Sequence, residues 1–502
     1  MLLADVVATS LAVAATRSRT AKVAALAELL RWLDDPDDVV IVTSYLAGSL
    51  RQRRTGLGWR SLADLPPPAD RATLTVSEVH AAFEAMSTMA GAGSQAARAE
   101  ATAALFGRAT ADEQTWLRGL VTGEVRQGAL DSLVQEALAV AGGVPSTSVR
   151  RAAMMAGSTV DVAVAALTGG EQALAAFVLQ VGRPVLPMLA SSAGSVAEAM
   201  AKAGGGTVAV DTKLDGVRIQ VHRRGDEVLV VTRSLDDVTS RHREVVEVAR
   251  ALPCHDVVLD GEVLALGPDG RPRPFQETAS RAASAAGVAL TPAFFDVLHA
   301  DGRDLVDSPT HVRLDVLESL VRPEHLVPRL LTDDPAEAET FTAQVLERGH
   351  EGVVVKSLSA PYAAGRRGAT WVKVKPVHTL DLVVLAVERG SGRRSQWLSN
   401  IHLGARDADT GEPVMLGKTF KGMTDEVLRW QTERFRELQT SDDGYVVTVR
   451  PEQVVEIAFD GVQRSTRYPG GVALRFARVI GYRDDKTSTE ADTLDTVRSY
   501  LP

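Results

Sequence analysis

The hydrophobic and polar positions divide the chain into three textures. Up to about residue 179, apolar residues recur every three or four positions and strand-like alternation is scarce, which predicts helices such as 22–33 and 130–141. Breaks fall at the acidic run 34–38, at Pro66-Pro67-Pro68 and at Gly142-Gly143-Val144-Pro145. Residues 183–190 read as a linker. Short β-rich runs follow at 207–211, 217–222, 228–232, 257–264 and 352–356, interrupted by a helical stretch at 335–348. Such mixed ordering predicts an α+β domain rather than regular βα alternation. After Pro376 strands return at 380–387, 401–403, 414–416, 454–459 and 474–480, with a helix-like 425–438. That suits a small barrel of the OB type. The expected architecture is an all-α N-terminal domain (1–182), an α+β domain (183–376) and a C-terminal OB-fold β-barrel (377–502).

Length agrees, because 502 residues exceed what one core organises. With 45% hydrophobic and 24% charged residues the composition is that of an ordinary soluble globular protein. No apolar run is long enough to span a bilayer, so no membrane partner is expected. Asp5 precedes the Ala- and Val-rich start and Arg17, Arg19 and Lys22 follow it, the reverse of a signal peptide. Cys254 is the only cysteine, which excludes an internal disulfide and a cysteine-rich zinc site. A cytoplasmic location is expected. The net charge of −9 argues mildly against nucleic acid. Locally, though, Arg51, Arg53, Arg54 and Arg60 surround Gly56-Leu57-Gly58, either as a solvated loop or as a contact for phosphates.

Two common nucleotide motifs are absent: there is no P-loop, and Gly204-Gly205-Gly206 precedes a strand instead of following one. What stands out is Asp211-Thr212-Lys213-Leu214-Asp215-Gly216-Val217-Arg218. A strand delivers Lys213, Asp215-Gly216 offers a tight turn, and a second strand carries Arg218. A lone lysine there is more simply an exposed charge. Further elements follow in order. Arg233 comes just after a strand, and Glu262 is a carboxylate within the apolar Val258-Leu259-Asp260-Gly261-Glu262-Val263. Phe295-Asp296 is next, then Glu351-Gly352-Val353-Val354-Val355-Lys356, Arg366-Arg367 and Trp371-Val372-Lys373-Val374-Lys375. Strand alternation puts Lys373 and Lys375 on one face. Each element alone fits an ion pair or a strand edge guarded by lysine; chance does not readily supply the ordered set.

The series resembles the nucleotidyltransferase motifs shared by ATP-dependent DNA ligases, RNA ligases and mRNA capping enzymes. It most resembles actinobacterial ATP-dependent DNA ligases with an N-terminal helical DNA-binding domain. The resemblance covers essentially the whole chain, including Arg53-Arg54-Thr55-Gly56-Leu57-Gly58, residues 184–190, and Leu474-Arg475-Phe476-Ala477-Arg478 with Asp484-Asp485-Lys486. It implies that Lys213 attacks the α-phosphate of ATP to form a covalent lysine–AMP. A lysine attacks only when neutral, a state that nearby cations favour. By the same resemblance Asp211 places the adenine, Phe295 stacks on it, and Arg218 and Arg233 bind ribose or phosphate. Lys356 also contacts the nucleotide, while Arg367, Lys373 and Lys375 neutralise phosphate charge. Glu262 and Glu351 are the expected ligands for Mg²⁺, a salt bridge to lysine being the plainer alternative for each.

Arg475 and Arg478 match the family's last motif, which orients the departing pyrophosphate. The barrel is then expected to swing away about residues 375–379. AMP passes to the 5′-phosphate of nicked double-stranded DNA, the 3′-hydroxyl attacks, and AMP leaves. The DNA contacts are expected to fall on phosphates, with little base readout. The chain departs from the pattern at Asp211, where many relatives carry Glu, and at Ala477, where proline is commoner. The nearest rival is an RNA ligase or capping enzyme, against which the long helical region ahead of Lys213 argues. An NAD-dependent ligase needs cysteines that this chain lacks. A silent DNA-end-binding scaffold would not keep the whole set. Any repair partner is expected to act in trans.

Overall fold

The computed structural model describes every residue except 53, 126, 128, 129, 285, 286, 365, 366, 392, 393 and 502. The side chain of Arg367 is also outside the description, so the expectations on Arg53, Arg366 and the Arg367 side chain fall beyond the described residues.

The N-terminal region is helical. Its longer helices are Leu3–Ala15, Arg19–Arg31, Pro36–Leu46, Val76–Thr88, Ser94–Gly107, Ala111–Thr122, Asp131–Gly142 and Ser146–Ala156. Local chemistry sets the starts. Asp35 caps a helix that opens on Pro36. Thr75 with Glu78, and Thr110 with Glu113, form reciprocal capping boxes. The apolar faces meet in one core that includes Leu26, Tyr45, Phe83, Phe106 and Leu138. In the basic loop Gly56 adopts a φ of 73°, and Arg51, Arg54, Arg60 and Trp59 are exposed.

The middle region contains β1 (Leu189–Ser192), β2 (Val208–Lys213), β3 (Val217–Arg224), β4 (Glu227–Thr232), β5 (Asp256–Ala265), β6 (Leu290–Ala300), β7 (Arg303–Asp304), β8 (Arg329–Thr332), β9 (Gly352–Ser357) and β10 (Arg367–Val374). They form two five-stranded sheets, ordered β1-β10-β9-β2-β8 and β4-β3-β5-β6-β7. The Asp215-Gly216 turn does not close a hairpin, because β2 and β3 lie in different sheets. Gly216 instead lets the crossing chain press against β5, where a Cβ would lie 2.4 Å from the Val263 carbonyl oxygen.

Residues 183–190 are not a free linker either. Val185 and Met188 are buried. Val185 N–H donates to Gln220 Oε1 at 2.8 Å, Leu186 N–H to the Met154 carbonyl at 3.0 Å, and Met188 N–H to the Tyr362 hydroxyl at 2.9 Å. The chain then enters β1, which pairs in parallel with β10. Met154 and Met155 of the helical region share this small core with Met188, Tyr362 and Trp371.

The C-terminal region is β-rich, with β11 (His378–Arg389), β12 (Leu398–Arg406), β13 (Pro413–Thr419), β14 (Gln439–Asp442), β15 (Val446–Val449), β16 (Val454–Phe459), β17 (Gly461–Arg464), β18 (Val472–Arg475) and β19 (Arg478–Arg483). The long β11 pairs with β12 on one edge, and with β16 and then β15 on the other. The resulting sheet curves around Leu382, Ile401, Leu403, Phe435 and Ile457. Among the described residues no ladder closes it into a barrel. Single backbone bonds, Gly470 to Met415 and Val479 to Lys421, reach across the gap instead. The expected strand at 474–480 is broken in two at Phe476, whose φ is 57°.

Candidate active site

A cleft opens between the two sheets of the middle region. Strand alternation decides what faces it. In β2, Asp211 and Lys213 line the cleft, whereas Val208 and Val210 pack outward against helices Val196–Lys202 and Pro335–Glu347. In β10, Trp371 and Lys373 face in while Val372 and Val374 face out. In β9, Val354 and Lys356 line the cleft while Val353 and Val355 face out. The opposite sheet adds Arg218, Glu262 and Phe295, and Arg233 sits exposed at the rim.

The floor is a buried, charged and aromatic cluster. Asp211 is bound by Arg329 at 2.5 and 3.0 Å and by Lys356 at 2.7 Å. Burial pushes the Asp211 carboxyl up, but Lys356 and Arg329 outweigh it and hold the carboxyl below its usual range. Lys356 also donates to the Phe295 carbonyl at 3.1 Å and lies 4.3 Å from the Trp371 ring centre and 4.7 Å from that of Phe295. Phe295 and Trp371 meet edge to face at 5.9 Å. Arg218 lines the cleft, but its N–H groups go to Asp260 at 2.9 and 2.6 Å, to the Met188 carbonyl at 2.7 Å and to the Tyr362 hydroxyl at 3.4 Å.

The mouth is a chain of carboxylates and cations. Lys213, at the end of β2, is ion-paired with Glu351. Glu351 also takes Lys375 at 3.0 Å, and Lys375 pairs with Asp460 of the C-terminal region. Burial raises the Glu351 carboxyl, yet Lys213 and Lys375 together hold it low. Glu262 has no ion pair with another described residue. Burial, opposed by Lys213 and Arg218 and aided by Glu351 and Asp215, pushes it up to about 7. Arg475 pairs with Asp215, and Arg478 stands 3.7 Å from Asp460. Among the described residues no group of three or more His, Cys, Asp or Glu side chains is placed to hold a metal ion.

Three family models match in chain order: DNA ligase N terminus at residues 64–139, ATP dependent DNA ligase domain at 187–375, and ATP dependent DNA ligase C terminal region at 394–486. A probable DNA ligase of Nocardioides sp. is 71% identical over 505 residues, spanning 100% of this chain and 99% of the relative. The chain belongs to the ATP-dependent DNA ligases. A probable DNA ligase of Kineococcus radiotolerans is 67% identical over 499 residues, 99% of each chain. The solved structure named Pmar-Lig_PreS3 superposes with a TM-score of 0.62 at 16% identity, covering 95% of this chain and 99% of that one, a likeness of fold.

In this ligase the cleft gathers Asp211, Lys213, Arg218, Arg233, Glu262, Phe295, Lys356 and Lys373, all expected from the sequence. Glu351, Lys375, Arg475 and Arg478 gather instead at the junction with the C-terminal region. Lys375 sits one residue past the end of β10. Sequence reasoning missed Arg329, Tyr362 and Asp260. Asp260 was within reach, since alternation along β5 places it on the face of Glu262. Arg329 lies in a stretch with no motif, so only the pairing of β8 with β2 reveals it. Among the described residues no helix is long and apolar enough to cross a membrane.

Proposed function

We propose that this ligase seals nicks in double-stranded DNA through a covalent Lys213–AMP. The observation that carries the reading is the position of the Lys213 amine, at the strand end where the cleft opens, paired with a carboxylate that a phosphate group can replace. Phe295, Trp371 and Val354 offer apolar surface for adenine, and Asp211 with Lys356 makes the polar floor beneath it. Lys373 and Arg233 flank the path of the phosphates, with Arg367 on the same strand as Lys373. In the first step the Nζ–phosphorus bond forms as the bond from the α-phosphorus to the bridging oxygen breaks. Pyrophosphate leaves with the electron pair and the amine gives up its protons. Alignment and fixed charge do most of this work.

Glu262 and Glu351 fit a hard divalent cation, because Mg²⁺ takes one or two carboxylates and completes its shell with phosphate oxygens and water. Such an ion would neutralise charge on the triphosphate. AMP then moves to the 5′-phosphate of the nick, and the 3′-hydroxyl displaces it. We assign residues 1–182 to DNA binding, 183–376 to adenylylation and 377–502 to the OB-type domain. The exposed Arg51, Arg54 and Arg60 are suited to duplex phosphates. We place the protein in the cytoplasm, with any repair partner acting in trans.

The test is incubation of the purified protein, first stripped of bound AMP with pyrophosphate, with α-³²P-ATP and Mg²⁺, followed by a denaturing gel. Label that is absent from Lys213→Ala and is released by nicked DNA, not by nicked RNA, is the expected result. No label on the native protein would sink the reading.

A further inference from the structure

We propose that Asp460 is a positioning residue that holds the C-terminal domain over Lys213 for lysine adenylylation and must release it before the nick is sealed. The inference rests on Lys213 as the nucleophile. Asp460 lies between β16 and β17 and lines the cavity where the C-terminal domain meets the middle one. Its side chain is 12% exposed and pairs with Lys375, the last cation before the crossing into β11. Arg478 stands 3.7 Å away on its other side, and the Asp460 N–H donates to the Arg475 carbonyl at 3.0 Å. Asp460 therefore touches both family-motif arginines, Arg478 through its carboxylate and Arg475 through its backbone N–H.

The chain of charge continues inward. Lys375 also pairs with Glu351, which pairs with Lys213. The line Lys213, Glu351, Lys375, Asp460 and Arg478 alternates in sign across the domain boundary. Asp215, Glu351, Asp460 and Arg475 all line the cavity between the two domains. With 18–19% exposure at Glu351 and Lys375, salt screens these pairs weakly.

Adenylylation changes the inner end of that line. The ammonium of Lys213 becomes a phosphoramidate N–H, losing two protons and its positive charge, while the α-phosphate now attached brings a negative one. Glu351 loses one of its two cations and Lys375 is drawn inward, so its hold on Asp460 weakens. The product of the first step thereby loosens the contact that favoured it, and the C-terminal domain can leave for the DNA-sealing steps.

The experiment compares native protein, Asp460→Asn and Asp460→Glu in two assays. The first measures the rate of label transfer from α-³²P-ATP to the protein. The second measures sealing, without ATP, of a nick whose 5′ end already carries AMP. Asp460→Asn is expected to slow the first about tenfold and to seal the adenylylated nick no more slowly than native. Asp460→Glu is expected to recover most of the first rate. Equal losses in both assays would mark a merely structural role and overturn the proposal, as would label transfer by Asp460→Asn at the native rate. Native protein that takes no label would instead overturn the Lys213 reading on which the proposal stands.

Discussion

Arg475 of the C-terminal region grips Asp215, two residues beyond Lys213, through both terminal guanidinium nitrogens at 2.6 and 3.2 Å. The same guanidinium lies 5.0 Å from the Phe275 ring centre. The pair is 24% and 28% exposed, so it ties the two regions at the point where the candidate nucleophile emerges. Arg475→Ala and Asp215→Ala should each slow label transfer from ATP. The double variant should be less impaired than the two losses multiplied, with a coupling of about 1 kcal/mol. Strictly multiplicative losses would show that the pair does not act as a unit.

Arg313 and Asp296 form an ion pair with both side chains 0% exposed. Arg313 also donates to the carbonyls of Ser308 and Ala360 and to the Thr310 hydroxyl. Replacing Arg313 with Met removes the ion-pair partner of a buried carboxylate, leaving only the more distant Lys356 and Arg329, which should cost roughly 3 kcal/mol. Denaturant titration reads this directly; a loss under about 1 kcal/mol would mean that water or another group reaches Asp296. Because Asp296 directly follows Phe295, ATP binding should weaken along with stability.

Burial pushes the His222 imidazole down to about 3, with His299 adding to the effect. Its Nδ1 accepts from Gly182 N–H at 3.1 Å, which leaves Nε2 to donate to Gln220 Oε1 at 2.8 Å. The neutral ring is therefore the folded form, whereas the unfolded chain titrates near 6.5. The stability this supplies is present above pH 6.5 and is lost as pH falls toward 3. His222→Leu should be less stable at neutral pH, yet its unfolding free energy should fall less steeply between pH 6 and 4, by up to about 1.4 kcal/mol per pH unit. Parallel slopes would rule His222 out as the acid-sensitive group.

A methyl group at Gly216 would lie 2.4 Å from the Val263 carbonyl and 3.2 Å from the Glu262 side chain. Gly216→Ala must push the crossing between β2 and β3 away from β5, and Lys213 moves with it. Label transfer should fall about a hundredfold, since displacements of about 1 Å misalign reacting atoms, while the thermal midpoint drops by only a few degrees. Native label transfer by this variant would show that the crossing tolerates the shift.

Several features were legible before any coordinates. Period-two alternation with valine on one face and Asp, Lys or Trp on the other is a local property of a strand. It is what puts Lys373 on the face of Trp371 in β10, whereas Lys375, expected on that same face, lies one residue past the strand's end and turns to Glu351 and Asp460. Capping chemistry likewise set helix starts at Pro36, Val76 and Ala111. The order of the motifs sufficed to name the family.

Three matters were decided only in three dimensions. The tight turn read at Asp215-Gly216 is a crossing between sheets, because β2 pairs with β8 and β9 far along the chain while β3 pairs with the nearby β4 and β5. The stretch at 183–190 reads as a linker because it lies where the texture of the chain changes and carries two prolines. It is nonetheless buried, held by Gln220, Tyr362 and Met154. Arg329 and Asp460 carry no motif, and each acquires its place from a charge brought to it by folding, Asp211 for one and Lys375 for the other. The sequence by itself determined which side chains share a strand face, since that depends on neighbours in the chain. Which faces meet, and which charges are left to pair in the closed space between them, depends on long-range packing, and only the tertiary structure decided it.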